Sequence, residues 1–170
     1  MWEYRGQKRP PFAEEPAAGQ ESVWDYPRPP LVSACNRLVE VRSGNTMLAR
    51  STGAFRVMET ASPPGFYIPG KDVNLGQLVK APGRSVCEWK GVAQYWALAS
   101  DPQKKPVGWS YPDPISGFDM LRGYFSFYPG RVDCFVDGKK VHPQPGQFYG
   151  GWITDDVVGP FKGEPGTGHW

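Results

Sequence analysis

Leu38-Val39-Glu40-Val41-Arg42, Ser43-Gly44-Asn45, Thr46-Met47-Leu48-Ala49-Arg50: an alternating run, a turn and a returning run. Apolar and polar side chains alternate with period two on both sides of a Gly-Asn turn, which predicts a β-hairpin. A second hairpin follows the same logic at Val132–Val136, Asp137-Gly138 and Lys139–His142. Between them lie further strand signals at Phe55–Thr60, Val86–Ala99, Trp109–Tyr111 and the aromatic run Tyr124–Tyr128. One short helix is expected after Asp72 as N-cap, with Leu75, Leu78 and Val79 on its apolar face. Gly117–Arg122 has room for a helical turn or two. No long amphipathic helix and no fixed repeat is present, so the fold is expected to be mainly β, in several small coiled antiparallel sheets.

The 170 residues fit a single domain. Gly (21) and Pro (19) are abundant, but so are rings: 7 Trp, 8 Tyr and 9 Phe. A disordered Pro/Gly-rich chain would lack those rings, so a compact, turn-rich β-protein is expected. Residues 1–30 read as an extended aromatic and Pro-rich arm, 31–142 as one β-rich domain, and 143–170 as a Gly/Pro-rich arm docked on it. The rings of both arms give them reason to lie on the domain, or to pair subunits into a homodimer.

Several function classes are disfavoured. A net charge of +2 gives no electrostatic case for nucleic acid or a membrane surface. No apolar run reaches a bilayer-spanning length, and a cytoplasmic location is expected. Cys35, Cys87 and Cys134 are far apart with no C-x-x-C pair, which fits free thiols rather than a zinc knuckle. Phosphate-cradling glycine motifs are missing. With only His142 and His169, a Ser-His-Asp triad or a histidine metal site is not expected. The acid pairs Asp155-Asp156 and Asp133/Asp137 read as solvated, so no metal is assigned, and no cofactor is identified.

The most chemically loaded stretch is Cys87-Glu88-Trp89-Lys90-Gly91, following a turn at Ala81–Arg84. As a strand with a bend at Gly91 it places Cys87 and Trp89 on one face. Upstream, period two puts Phe55, Val57 and Glu59 on one face of a strand, with Arg56, Met58 and Thr60 on the other. Glu59 is then either half-buried at the end of a core strand or solvated beyond it. Cys87, Glu59 and Lys90 are the candidate catalytic groups: Arg84 and Lys90 could stabilise a thiolate, though no histidine base is near in sequence. Arg56, Tyr67, Trp89, Trp109, Tyr111 and Tyr128 are candidate ligand contacts, since rings with polar tips supply both area and orientation.

The ordered series Arg56–Thr60, Tyr67-Ile68-Pro69, Asp72-Val73, Cys87–Gly91, Tyr95-Trp96, Trp109–Pro112 and Phe127-Tyr128-Pro129 resembles the domain of unknown function 427 family, over about residues 36–142. The flanks, with Trp24–Pro27 and Phe148–Trp152, are similar to longer cyanobacterial and plant-type members. The resemblance implies a β-tent-like fold, related to zinc-bearing proteins and methionine sulfoxide reductases, but the paired C-x-x-C zinc ligands are missing here. It implies no activity. Members are sometimes labelled nucleotidyltransferases, and nothing in this chain resembles the Gly-Ser and paired-carboxylate site such chemistry needs. Three functions stay open: a small-molecule pocket of unknown ligand, binding or catalytic; a non-catalytic interaction or oligomerisation module; and a Cys87-dependent thiol enzyme.

Overall fold

The alternating segments become strands. The computed structural model describes residues 2–170 and contains, in chain order, β1 (Glu21–Ser22), β2 (Leu31–Cys35), β3 (Val39–Ser43), β4 (Thr46–Ser51) and β5 (Ala54–Met58). They are followed by β6 (Gly65–Pro69), β7 (Leu78–Cys87), β8 (Gly91–Leu98), β9 (Pro106–Ser110) and β10 (Tyr124–Phe127). The last are β11 (Asp133–Val136), β12 (Lys139–Lys140), β13 (His142–Pro143), β14 (Trp152–Ile153) and β15 (Val157–Val158). Among the described residues, helix is confined to three-residue 3-10 turns, so the chain is mainly β.

The largest sheet has seven strands in the order β2-β5-β6-β10-β9-β8-β7, all antiparallel neighbours. A four-stranded sheet, β12-β11-β3-β4, holds both expected hairpins. Two short pairs, antiparallel β13–β14 and parallel β1–β15, involve the terminal segments.

Alternation decides what each face buries. Phe66 and Ile68 of β6 and Phe125 and Phe127 of β10 share a core with Val39, Val41, Cys134 and Val136 of the smaller sheet. Trp152 completes this core from far along the chain. Its ring stacks on Phe66 at 4.9 Å, and its indole N–H donates to the Phe127 carbonyl at 2.9 Å. The other face of the large sheet carries Val57, Tyr67, Ala93, Trp109 and Tyr111. A third cluster joins the two terminal segments to each other and to the end of β5: Trp24, fully buried, meets Tyr4, Phe12 and Trp170 edge-on, each within 5.3 Å.

Three local expectations give way. No α-helix follows Asp72: 3-10 turns at Gly70–Asp72 and Leu75–Gln77 lead into β7, and the Asp72 carboxylate accepts from the Ser51 hydroxyl at 2.6 Å instead of capping a helix. Gly70 and Gly76 weaken a helix there, while Leu78 and Val79 gain ladder partners in Leu98 and Ala97. Ala81–Arg84 is not a turn between elements. β7 runs through it, with a register shift that sets Lys80 opposite Trp96 and Arg84 opposite Gln94, a bulge that accommodates Pro82 on an edge strand. Lastly, Cys87–Gly91 is not a bent strand. Cys87 pairs with Gly91, and Glu88-Trp89-Lys90 form the tip of the β7–β8 hairpin, with Gly91 at φ +113° supplying a conformation other residues resist.

The burial of Trp152 fixes a prediction. Trp152→Ala removes a core ring and leaves the Phe127 carbonyl without its indole partner, which should cost about 3–5 kcal/mol in equilibrium urea unfolding. A loss below about 1 kcal/mol would mean that the C-terminal segment is not part of the main core.

Candidate functional site

The seven-stranded sheet's second aromatic face does not close completely. A cavity of about 380 Å³ lies against it, inside the range of roughly 300–1,000 Å³ typical of small-molecule sites. Val57 and Glu59 come from the end of β5, Gly65 and Tyr67 from β6, and Trp109 and Tyr111 from β9 and the residue just past it. The β7–β8 hairpin tip contributes Cys87, Glu88, Trp89 and Lys90, and Tyr128 follows β10. Antiparallel pairing of β5, β6, β10, β9 and β8 is what gathers these sequence-distant positions.

Eight of the nine residues singled out from sequence, namely Glu59, Tyr67, Cys87, Trp89, Lys90, Trp109, Tyr111 and Tyr128, line this one cavity. Arg56 does not. It points to the opposite face of β5, where its guanidinium meets Glu21 at 3.2 Å and the Tyr26 hydroxyl at 3.4 Å. Period two puts Arg56 and Glu59 on opposite faces, so a strand cannot bring both to one pocket. Glu59 itself sits one residue beyond the strand end, with its side chain 23% exposed, half-buried rather than free in solvent.

The site also contains residues that carry no local signal. Arg28, from the Pro-rich run Pro27–Pro30, has a side chain with no exposed surface and donates from Nε to Glu59 at 3.0 Å. The ring of Trp2 lies between two cations, 4.1 Å from the Arg28 guanidinium and 4.4 Å from the Lys162 ammonium, and its indole N–H donates to Glu88 at 2.9 Å. Trp2 thereby bridges the N-terminal segment to the hairpin tip at the rim of the cavity. From the C-terminal segment, Gly150 packs flat on Trp109: a β-carbon there would fall 2.2 Å from the indole Cη2, so only hydrogen fits.

Donors dominate the polar lining. Trp109 donates its indole N–H to the Tyr67 hydroxyl at 3.2 Å, and Tyr95 donates its hydroxyl to Ser85 at 2.7 Å. Burial pushes the Tyr111 and Tyr128 hydroxyls far above the ordinary tyrosine value, so both keep their protons. The Trp89 indole nitrogen is buried with no hydrogen-bond partner. Lys90 is half-buried, and its ammonium lies 5.8 Å from the Tyr111 ring centroid. Burial alone would lower its pKa, but Tyr67, Cys87 and Glu59 nearby outweigh that and leave it raised, so the amine stays an ammonium. Lys162, a buried residue of the lining, goes the other way: burial and the Arg28 charge lower it. A protonated amine is an electrostatic anchor rather than a nucleophile.

The three thiols are free, and among the described residues no group of three or more His, Cys, Asp and Glu converges on a metal-sized site. The acid pairs of the sequence meet basic side chains instead: Asp137 and Asp156 both contact Arg37, Asp133 contacts Lys140, and Asp155 contacts Lys139. No described helix is long and apolar enough to cross a membrane.

These features define a mainly antiparallel β-protein with an aromatic, lysine-bearing cavity on one face of its largest sheet. The chain belongs to the family described as domain of unknown function (DUF427), whose model matches residues 31–138. Comparison with curated proteins gives no match. The matched segment includes the cavity floor and hairpin tip, while Trp2, Arg28, Gly150 and Lys162 lie outside it.

The bridging position of Trp2 gives a second prediction. Trp2→Ala should lower stability by about 0.5–2 kcal/mol through the lost cation–π contacts. It should also raise acrylamide quenching of the remaining tryptophans, because Trp89 and Trp109 gain solvent access. Unchanged quenching would show that Trp2 does not screen the cavity.

Proposed function

We propose that this protein is a cytoplasmic small-molecule-binding protein whose site is the cavity around the Cys87–Lys90 hairpin tip. The supporting observation is convergence: residues from β5, β6, β9, the β7–β8 tip and both terminal segments meet around one space of ligand size. The same arrangement favours holding a ligand over amine or acid–base chemistry. Lys90 stays protonated, Glu59 is committed to Arg28, and neither His142 nor His169 lines the cavity. The aromatic walls supply contact area and the few polar groups supply orientation.

Native mass spectrometry of the protein purified from its own host's extract tests this directly. The expected spectrum carries an added small-molecule mass that is lost on denaturation. Ala93→Phe, which projects a ring from the buried cavity wall, should abolish that mass while keeping a β-type circular dichroism spectrum. A bare wild-type chain, together with no melting shift across a panel of metabolites, would overturn the proposal.

A thiol-enzyme reading is supported by one placement: Cys87 and Lys90 sit on either side of the same hairpin tip and both line the cavity. This reading requires Cys87 to react with a disulfide reagent at pH 7 at least about tenfold faster than a free model thiol. A rate equal to the model thiol, measured on a variant keeping Cys87 alone of the three cysteines, removes its basis.

A further inference from the structure

The donor inventory of the cavity is lopsided. Lys90, Tyr111 and Tyr128 line it with an ammonium and two protonated hydroxyls, and the nearby Trp89 indole N–H is buried without an acceptor. Acceptors are scarce by comparison. Of the two carboxylates in the lining, Glu59 is engaged by Arg28 at 3.0 Å, and Glu88 is exposed at the rim, where it takes the Trp2 indole N–H. Among the described residues, no carboxylate comes within 4.0 Å of the Lys90 ammonium. A half-buried cation with no carboxylate in contact is costly by itself and becomes favourable when an anion fills the space beside it. The hydroxyls of Tyr111 and Tyr128 cannot serve as that anion, since they hold their protons.

We propose that the cavity takes a small organic oxyanion, a carboxylate or a phosphate ester, whose charged group pairs with the Lys90 ammonium while the aromatic walls receive its apolar body. This inference rests on the cavity being a ligand site and specifies the class of ligand. Enclosure matters to its strength. A charge-assisted hydrogen bond in a space walled by Tyr67, Trp89, Trp109 and Tyr111 is weakly screened, whereas the same pair on an open surface contributes little. The buried Lys162, whose ammonium lies 5.4 Å from the Tyr149 ring, adds a second positive charge to the lining.

Intrinsic tryptophan fluorescence provides the readout, because Trp89 and Trp109 both line the space. Benzoate and phenyl phosphate are the anionic probes, and benzamide is the uncharged counterpart of benzoate. The full-length protein should give a saturable response to at least one anion, and the tighter of the two assigns the head group as carboxylate or phosphate. Benzamide should bind at least about tenfold more weakly. Lys90→Gln should weaken the anion by at least about tenfold, and Lys90→Arg should keep most of the affinity. Benzamide binding as tightly as benzoate overturns the proposal, and so does an unchanged anion affinity in Lys90→Gln. The first result leaves the cavity as a site for a neutral ligand, and the second as one whose anion is held by a group other than Lys90. No saturable response to either anion also overturns it, and the pocket then stands or falls on the retained mass alone. The benzamide comparison uses only the wild-type chain, so the test survives a variant that fails to fold.

Discussion

The Arg28 guanidinium holds the molecule's distant parts to one point. Its side chain is fully buried, yet four of its five N–H donors are directed at acceptors: Nε to Glu59, Nη1 to the Tyr4 carbonyl at 2.8 Å, and Nη2 to the main-chain oxygens of Thr60 and Trp170 at 3.2 and 2.7 Å. Trp2 covers it at 4.1 Å. Taking an arginine out of water costs several kcal/mol, and only near-complete hydrogen bonding with an opposite charge offsets that. The geometry is therefore all-or-nothing. The N-terminal segment, the end of β5 and the C-terminal segment must be in place together, or the cation is left buried and unmatched.

That constraint reaches into the cavity. By engaging Glu59, Arg28 occupies the carboxylate best placed to neutralise Lys90, so the charge balance at the hairpin tip is set from a residue 62 positions earlier in the chain. Burial and the Arg28 charge lower Lys162, while Lys90 is raised. Two lysines border the same space with opposite shifts, because burial next to a guanidinium disfavours the charge of one, while nearby tyrosine, thiol and carboxylate groups outweigh burial at the other. Lys90 is the firmer cation of the two.

Much of this was legible in the residues, and the limits have physical causes. Period two correctly put Val57 and Glu59 on one face of β5 and Arg56 on the other; grouping Arg56 with Glu59 in one pocket disregarded that geometry. The hairpins at Ser43–Thr46 and Val136–Lys139 carry turn residues in sequence, so they could be placed. Cys87–Gly91 could not be told from a strand by pattern, because Trp and Cys suit either a pleat or a tip, and the choice is made by Gly91 pairing back to Cys87. Leu75, Leu78 and Val79 matched a helical face, but Leu78 and Val79 gain more from the β8 ladder. Arg28, Trp2 and Lys162 were invisible for a different reason. Their roles depend on contacts spanning most of the chain, such as Arg28 to Trp170, and no local pattern encodes closure of that length.

The family match and the cavity wall divide the chain in different ways, and the difference has a consequence. Residues 31–138 bring the sheet, the aromatic floor and Lys90. The rim is made by Trp2 and by Gln144, Phe148 and Tyr149, all outside that span. Gly150 ties the two parts sterically, since its missing side chain lets the C-terminal backbone rest on Trp109. A floor that anchors and a rim that admits are separable determinants of binding. If the cavity holds a ligand, the terminal segments govern which molecules enter and how fast they leave, while the hairpin tip governs what charge they carry. Changes in the flanks would then alter selectivity without disturbing the anchor. The hairpin tip in turn depends on the flanks through Arg28, by way of its hold on Glu59, and through Trp2, by way of its bond to Glu88.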